Sequence, residues 1–290
     1  MWVIFSNLLN IEWTQVAMWA IGGILIYLAV KKDMEPALLL PMGFGAILVN
    51  LPMSGAVTQV FDGVKEIGII DILFNSGISN ELFPLLLFIG IGAMIDFGPL
   101  LSNPKLMLFG AAAQFGIFIT LFFATVLGFS IKDAASIAII GAADGPTSIF
   151  VANFFKSNYI GPIIVVAYSY MALVPIIQPF AIKLVTTKKE RQIKMPYNPK
   201  NVSKATRIIF PIAVTFVAGL VAPTSVALVG FLMFGNLIRE CGVLSTLSDS
   251  AQNQLANLIT LLLGITIAFS MRAEEFVNAR TVMIMGIGLL

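Results

Sequence analysis

The chain has 290 residues, of which 58% are hydrophobic and only 11% charged, with a mean hydropathy of +0.96. Soluble domains are roughly 45–50% apolar and about 25% charged, so a soluble enzyme is excluded, and a formal net charge of +2 gives no footing for nucleic acid. Histidine is absent and Cys241 is the single cysteine, which excludes an intrachain disulfide framework and a Cys/His metal centre.

The apolar excess runs the whole length, which predicts an all-α, polytopic membrane protein in contact with the lipid bilayer. Trp13 to Val30 is the first span, closed by Lys31 and Lys32. Ala37 to Asn50 is apolar but short, and Pro41, Gly43 and Gly45 interrupt it. Phe61 to Glu81 is an acidic, amphipathic stretch. Leu82 to Leu101 is a further span carrying Asp96, and Leu106 to Ile131 is long enough to cross at about 20 residues per span. Ala134 to Phe155 and Ile160 to Ile182 follow. Lys183 to Arg207 is an aqueous loop with eight Lys/Arg against Glu190. By the positive-inside rule this loop is cytoplasmic, as is the Lys31–Lys32 end of the first span. Ile208 to Ala222, Ser225 to Ile238 and Leu255 to Met271 are further apolar segments, and "TVMIMGIGLL" starts another.

Asp33 and Lys183 both lie inside, so an even number of crossings joins them, yet five apolar segments lie between. One segment must enter and return. Gly/Pro-interrupted backbone is tolerated at membrane depth only where protein or a water-filled cavity surrounds it. Asp144-Gly145-Pro146 fits that description, so Ala134 to Phe155 is expected to be broken or re-entrant, with no sheet in any span.

Two stretches resemble each other. "ALLLPMGFGAILVN" from Ala37 compares with "ALVGFLMFGNLI" from Ala227, and at one constant spacing Gly68 meets Gly242, Leu73 meets Leu247 and Gly90 meets Gly264. The first copy starts inside and the second outside, which is the inverted-topology repeat of many secondary transporters. The expected organisation is an N-terminal transmembrane helix over 1–35, a first membrane repeat over 36–182, the basic loop over 183–207, and a linker helix with an incomplete second repeat over 208–290. The counterpart of Asp144 would fall beyond Leu290, so the sequence is expected to be C-terminally truncated and, alone, inactive as a pump.

Asp144 stands in "GAADGPTSIF", where a carboxylate costs about 2.5–3.5 kcal/mol on insertion scales. It is either a structural group, protonated or paired, or a cation site. For a site, unwound backbone frees carbonyls, and Thr147 and Ser148 supply hydroxyls, a donor set that suits Na+ with protonation as the competing state. Asp96 is a second candidate but sits near a cytoplasmic end. Tyr168 and Tyr170 are mid-span, where a hydroxyl needs a partner. Asn236 and Arg239 suit capping or interface anchoring, and Gln114 suits interhelical hydrogen bonding.

"GAADGPTSIF", "GIGAMIDFGPLLSNPKLMLFGAAAQFGIF", "AYSYMALVPIIQP" and "MFGNLIRECGVL" together resemble the beta subunit of the sodium-translocating biotin-dependent decarboxylases, a group that includes the oxaloacetate, glutaconyl-CoA and methylmalonyl-CoA enzymes. The resemblance implies decarboxylation of carboxybiotin held by a partner subunit, coupled to Na+ export with a proton consumed. It implies a biotin-carrier subunit, a carboxyltransferase subunit and a small membrane-anchor subunit as partners, in the cell inner (plasma) membrane. It also implies Asp144 as the Na+/H+ carboxylate and Tyr170 as a residue near the site. The family's second motif, an Asn-Pro followed by Gly-Ala-Ala-Gly, has no match here. A stand-alone ion-coupled secondary transporter, without a chemical step, is the competing reading.

Overall fold

The computed structural model describes residues 11–61, 63–194, 202–276 and 279–288. The middle of the basic loop, 195–201, lies outside the described residues.

The spans are helical, as lipid requires of any segment that cannot close into a barrel. Helix α1, Trp13–Lys32, ends in two lysines that complement its dipole, and Asp33 closes it in a left-handed conformation. Helix α2, Pro36–Val49, starts on a proline, whose missing N–H falls where a helix has no partner for one. Its 14 residues give about 21 Å, less than the roughly 30 Å of a hydrocarbon core. Strands β1, Gln59–Phe61, and β2, Val64–Glu66, then pair antiparallel with Val60 opposite Lys65. This hairpin is a small departure from an all-helical chain. It lies between spans, where water satisfies its outer edges.

Helix α3, Ile69–Leu73, runs through a π-helical turn, Phe74–Ile78, and is followed by α4, Leu82–Met94, at a bend of 60°. After α5, Gly98–Ser102, and a 3-10 turn, Pro104–Leu106, comes α6, Met107–Val126. Then come α7, Ile131–Ala138, with a 3-10 turn over Ile139–Ala142, α8, Gly145–Phe154, and α9, Ile160–Val185. The basic loop keeps one turn, α10, Lys188–Arg191, before α11, Lys204–Val221, and α12, Val226–Cys241. Helix α13, Ser245–Asp249, a π-helical turn over Ser250–Leu255, and α14, Ala256–Ile267, follow. The described chain ends with a 3-10 turn, Ala268–Met271, α15, Ala273–Phe276, and α16, Ala279–Gly288. Five helices are long and apolar enough to cross a membrane among the described residues, or six if the bent α3–α4 pair is one span. Phe109, Phe115, Phe118 and Phe122 of α6 are exposed, as expected of a face covered by lipid.

The repeat seen in the sequence recurs in the elements. A short helix, a π-helical turn, a long helix and a short helix occur as α3 to α5 and again as α13 to α15. At the spacing set by Gly68 and Gly242, the start of α4 at Leu82 meets the start of α14 at Ala256.

The chain forms two compact units. The first draws on residues up to Pro84, Gly116–Met171 and from Asn257 on; the second on Leu85–Phe115 and Ala172–Ala256. In the first unit, an apolar cluster of Ala134, Ile137, Ile140, Ala152, Ile163 and Val166 packs α7, α8 and α9 together. Also in that unit, Asn50, at the end of α2, donates to the Met271 carbonyl at 2.8 Å and accepts from Ala273 N–H at 2.7 Å. It thereby satisfies backbone groups at the break after α14.

The second unit repeats this device. Asn236 of α12 donates to the carbonyls of Ile95, at 2.8 Å, and Gly92, at 3.3 Å, and Arg239 donates to Met94 at 2.6 Å. The helices α4 and α12 cross on glycines. A Cβ at Gly92 would lie 1.8 Å from the Leu232 carbonyl oxygen, and one at Gly235 would lie 2.0 Å from that of Ile89.

Candidate ion-coupling site

The segment around Asp144 is broken, as its sequence predicts. The last turn of α7 tightens to 3-10 geometry, and Ala143 then takes a left-handed conformation at φ 53°. A non-glycine residue there costs about 1–2 kcal/mol. Asp144 is extended, at φ −131° and ψ 102°, and stands at the N-cap of α8. Pro146 falls in the first turn of α8, where its missing N–H is harmless. The proline therefore starts a new helix rather than merely kinking an old one. Because the chain leaves helical geometry at Ala143, the carbonyls ending the 3-10 turn lose the amides a continuing helix would offer them.

Asp144 is partly buried, and its carboxylate accepts a hydrogen bond from the Thr147 hydroxyl. It sits at the positive end of the α8 dipole. Ser148 is fully buried, and its hydroxyl donates to the Asp144 backbone carbonyl at 2.9 Å. Thr147 thus turns toward the carboxylate, whereas Ser148 bonds back to the preceding turn in the manner of helical serines. Carboxylate, hydroxyl and backbone carbonyl oxygens together suit a hard cation of low charge.

Helix α9 closes one side. The Tyr168 ring lies flat on Gly145, where a Cβ would come within 2.5 Å of Cζ. Tyr168 is buried, and its hydroxyl has no hydrogen-bond partner among the described residues. Met171 Sδ accepts the Gly145 N–H at 3.1 Å. Tyr170 packs against the apolar cluster of α7, α8 and α9. Sequence reasoning missed Met171, since nothing marks a thioether as an acceptor.

Asp96 and Asn236 lie in the second unit. Asp96 Oδ1 accepts from Gly98 N–H at 2.8 Å and pairs with Arg207 at 3.4 Å, and Arg207 also reaches Glu240 at 3.5 Å. Asn236 satisfies carbonyls at the broken end of α4, and Asp96 satisfies the Gly98 N–H at the start of α5.

A profile of the family described as "Na+-transporting oxaloacetate decarboxylase beta subunit" matches residues 14–290. The chain belongs to this family. Methylmalonyl-CoA decarboxylase subunit beta of Propionigenium modestum is 46% identical over 293 residues, which cover 95% of this chain and 74% of that protein. Glutaconyl-CoA decarboxylase subunit beta of Acidaminococcus fermentans is 45% identical over 285 residues, covering 98% of this chain and 74% of that protein. The oxaloacetate decarboxylase beta chain of Klebsiella pneumoniae is 35% identical over 338 residues, covering 98% and 78%. Family membership and the apolar helices together make this a multi-pass subunit of a Na+-transporting decarboxylase in the cell inner membrane.

Proposed function

We propose that this subunit decarboxylates carboxybiotin presented by a biotin-carrier subunit and uses the reaction to export Na+. A carboxyltransferase subunit loads the biotin and a small membrane-anchor subunit completes the complex. Loss of CO2 from an N-carboxylate leaves a nitrogen that takes up one proton, so the chemistry draws a proton toward the reaction while Na+ leaves.

The observation that carries this reading is Asp144 at a helix break inside an apolar segment, with the Thr147 hydroxyl on its carboxylate. Asp144 alternately holds Na+ and H+. Thr147 orients the carboxylate, and Ser148, with its hydroxyl on the Asp144 carbonyl, fixes the first turn of α8 while keeping lone pairs for the ion. Tyr170 acts from α9 near the same hairpin.

The test is decarboxylation of carboxybiotin by the full-length subunit with its partner subunits in proteoliposomes, with and without Na+. Na+-dependent CO2 release accompanied by Na+ uptake into inverted vesicles is expected. Na+ movement with no requirement for carboxybiotin would instead favour a stand-alone transporter.

A further inference from the structure

The Asp144 hairpin has two legs, α7 and α8, and its tip depends on how those legs are held. They pack through small and branched side chains, Ala134, Ile137 and Ala152, which resist sliding and rotation only weakly. Among the described residues, the hydrogen bonds that join one leg to the other converge on Asp133. Its Oδ1 accepts from the Ser157 hydroxyl at 2.8 Å and from the Asn158 N–H at 3.0 Å, both just past the end of α8. Its Oδ2 accepts from the Ser130 hydroxyl at 2.7 Å, at the start of α7. Asp133 is 5% exposed and Ser157 6%, so the bond between them is sheltered from water, whereas Ser130 and Asn158 are themselves exposed. Charge-assisted bonds of this kind are roughly twice as strong as neutral ones.

We infer that Asp133 is a positioning residue for Asp144: one carboxylate closes the mouth of the hairpin and so sets the geometry of the ion site at its tip. The inference rests on the reading of Asp144 as the ion-coupling group. The mouth and tip are the two ends of α7, which is eight residues long, with a 3-10 turn beyond it. A change in splay at the mouth is therefore delivered to the tip by a rigid rod. Ala143 is already held in a left-handed conformation there, so the tip has little freedom to absorb such a change. Cation coordination tolerates small displacements poorly, and misplacement by about 1 Å commonly costs about 100-fold in well-positioned sites.

The experiment compares Asp133→Ala, Asp133→Asn, Ser157→Ala and Asp144→Asn with wild type, each in the full complex in proteoliposomes. Na+ concentration for half-maximal decarboxylation is read alongside the amount of inserted chain. Asp133→Ala is expected to raise the half-saturating Na+ about tenfold or more, with Asp133→Asn and Ser157→Ala intermediate. The amount of inserted chain should be unchanged in Ser157→Ala, which removes one donor of three. Wild-type Na+ dependence in all three variants, whatever their abundance, overturns the inference while loss of turnover in Asp144→Asn leaves the site reading standing. Retained Na+-dependent turnover in Asp144→Asn defeats the site reading, and the inference with it.

Discussion

The ring of Tyr168 occupies the space where any residue other than glycine at 145 would place its Cβ, 2.5 Å from Cζ. The contact locks the first residue of α8 against α9, and the N–H of the same residue is held by Met171. Gly145 is thus required by close approach of a neighbour, and the break at Asp144 is fixed from outside the hairpin as well as within it.

Gly145→Ala should therefore impair the site more than its size suggests. Overpacking of a filled core costs about 1–3 kcal/mol, and here the strain falls beside Asp144. Na+-dependent turnover should drop steeply, with partial recovery when Tyr168→Ala removes the ring. Tyr168→Phe should behave oppositely. A buried hydroxyl without a partner costs about 1–3 kcal/mol, so its removal should leave the thermal unfolding midpoint unchanged or higher. A clear fall in that midpoint would mean that the hydroxyl has a partner in the working protein.

The crossing of α4 and α12 makes a second stability prediction. Gly235→Ala places a methyl 2.0 Å from the Ile89 carbonyl oxygen, which is backbone and cannot turn aside. The helices must separate, which lengthens the Asn236 and Arg239 bonds to the end of α4. A loss of about 3 kcal/mol or more is expected, read as a lower yield of folded chain and a lower unfolding midpoint in detergent. An unchanged midpoint would show that the crossing is looser than its geometry.

Much of this was legible in the sequence, and for identifiable reasons. A glycine–proline pair beside an acid in an apolar run has few conformations open to it, so the break could be placed between Gly141 and Pro146, and the chain leaves helical geometry at Ala143. The internal repeat was legible because Gly68 and Gly90 meet Gly242 and Gly264 at one constant spacing, and Gly45 and Gly235 lie in a second pair of matching stretches. The β-hairpin was missed because a three-residue strand has too short a pattern to separate from a loop. The partners of Asp133 were missed because Ser157 and Asn158 are remote in sequence and become neighbours only when the hairpin closes.

Asp133 carries a pH dependence whose sign follows from its surroundings. Burial alone would raise its pKa, but the bonds from Ser130, Ser157 and Asn158 outweigh burial and hold it below the usual carboxylate range. The unfolded chain, near an ordinary Asp value of about 3.9, then binds a proton more readily than the folded one. Its stabilising contribution is complete above that value and is lost as pH falls through the lower, folded one. Unfolding midpoints in detergent should fall as pH drops below about 4, and less steeply in Asp133→Asn. Equal slopes in the two proteins would show that this carboxylate is not perturbed.

The charge pattern sets the sidedness of two exposed test positions. Lys65 stands exposed on β2, and Ser203 is exposed at the start of α11, within the basic loop. With Cys241 replaced by Ser, an impermeant thiol reagent added outside should label Lys65→Cys and leave Ser203→Cys unmodified. The reverse pattern would invert the topology and place the mouth of the Asp144 hairpin on the cytoplasmic side.

The decisive test lies at Asp144. If one carboxylate serves both ions, Na+ and H+ exclude each other there, and the half-saturating Na+ concentration should rise as pH falls, because protons then claim a larger share of the sites. Asp144→Asn keeps the volume and an acceptor for Thr147 but removes the charge that both ions need. It should abolish Na+-dependent decarboxylation while the chain still inserts. Asp144→Glu keeps the charge and moves the oxygens by one methylene, so activity should survive with a shifted Na+ affinity. A flat dependence of Na+ affinity on pH, together with wild-type pumping by Asp144→Asn, would make this residue a structural cap of α8 and move the ion elsewhere in the bundle.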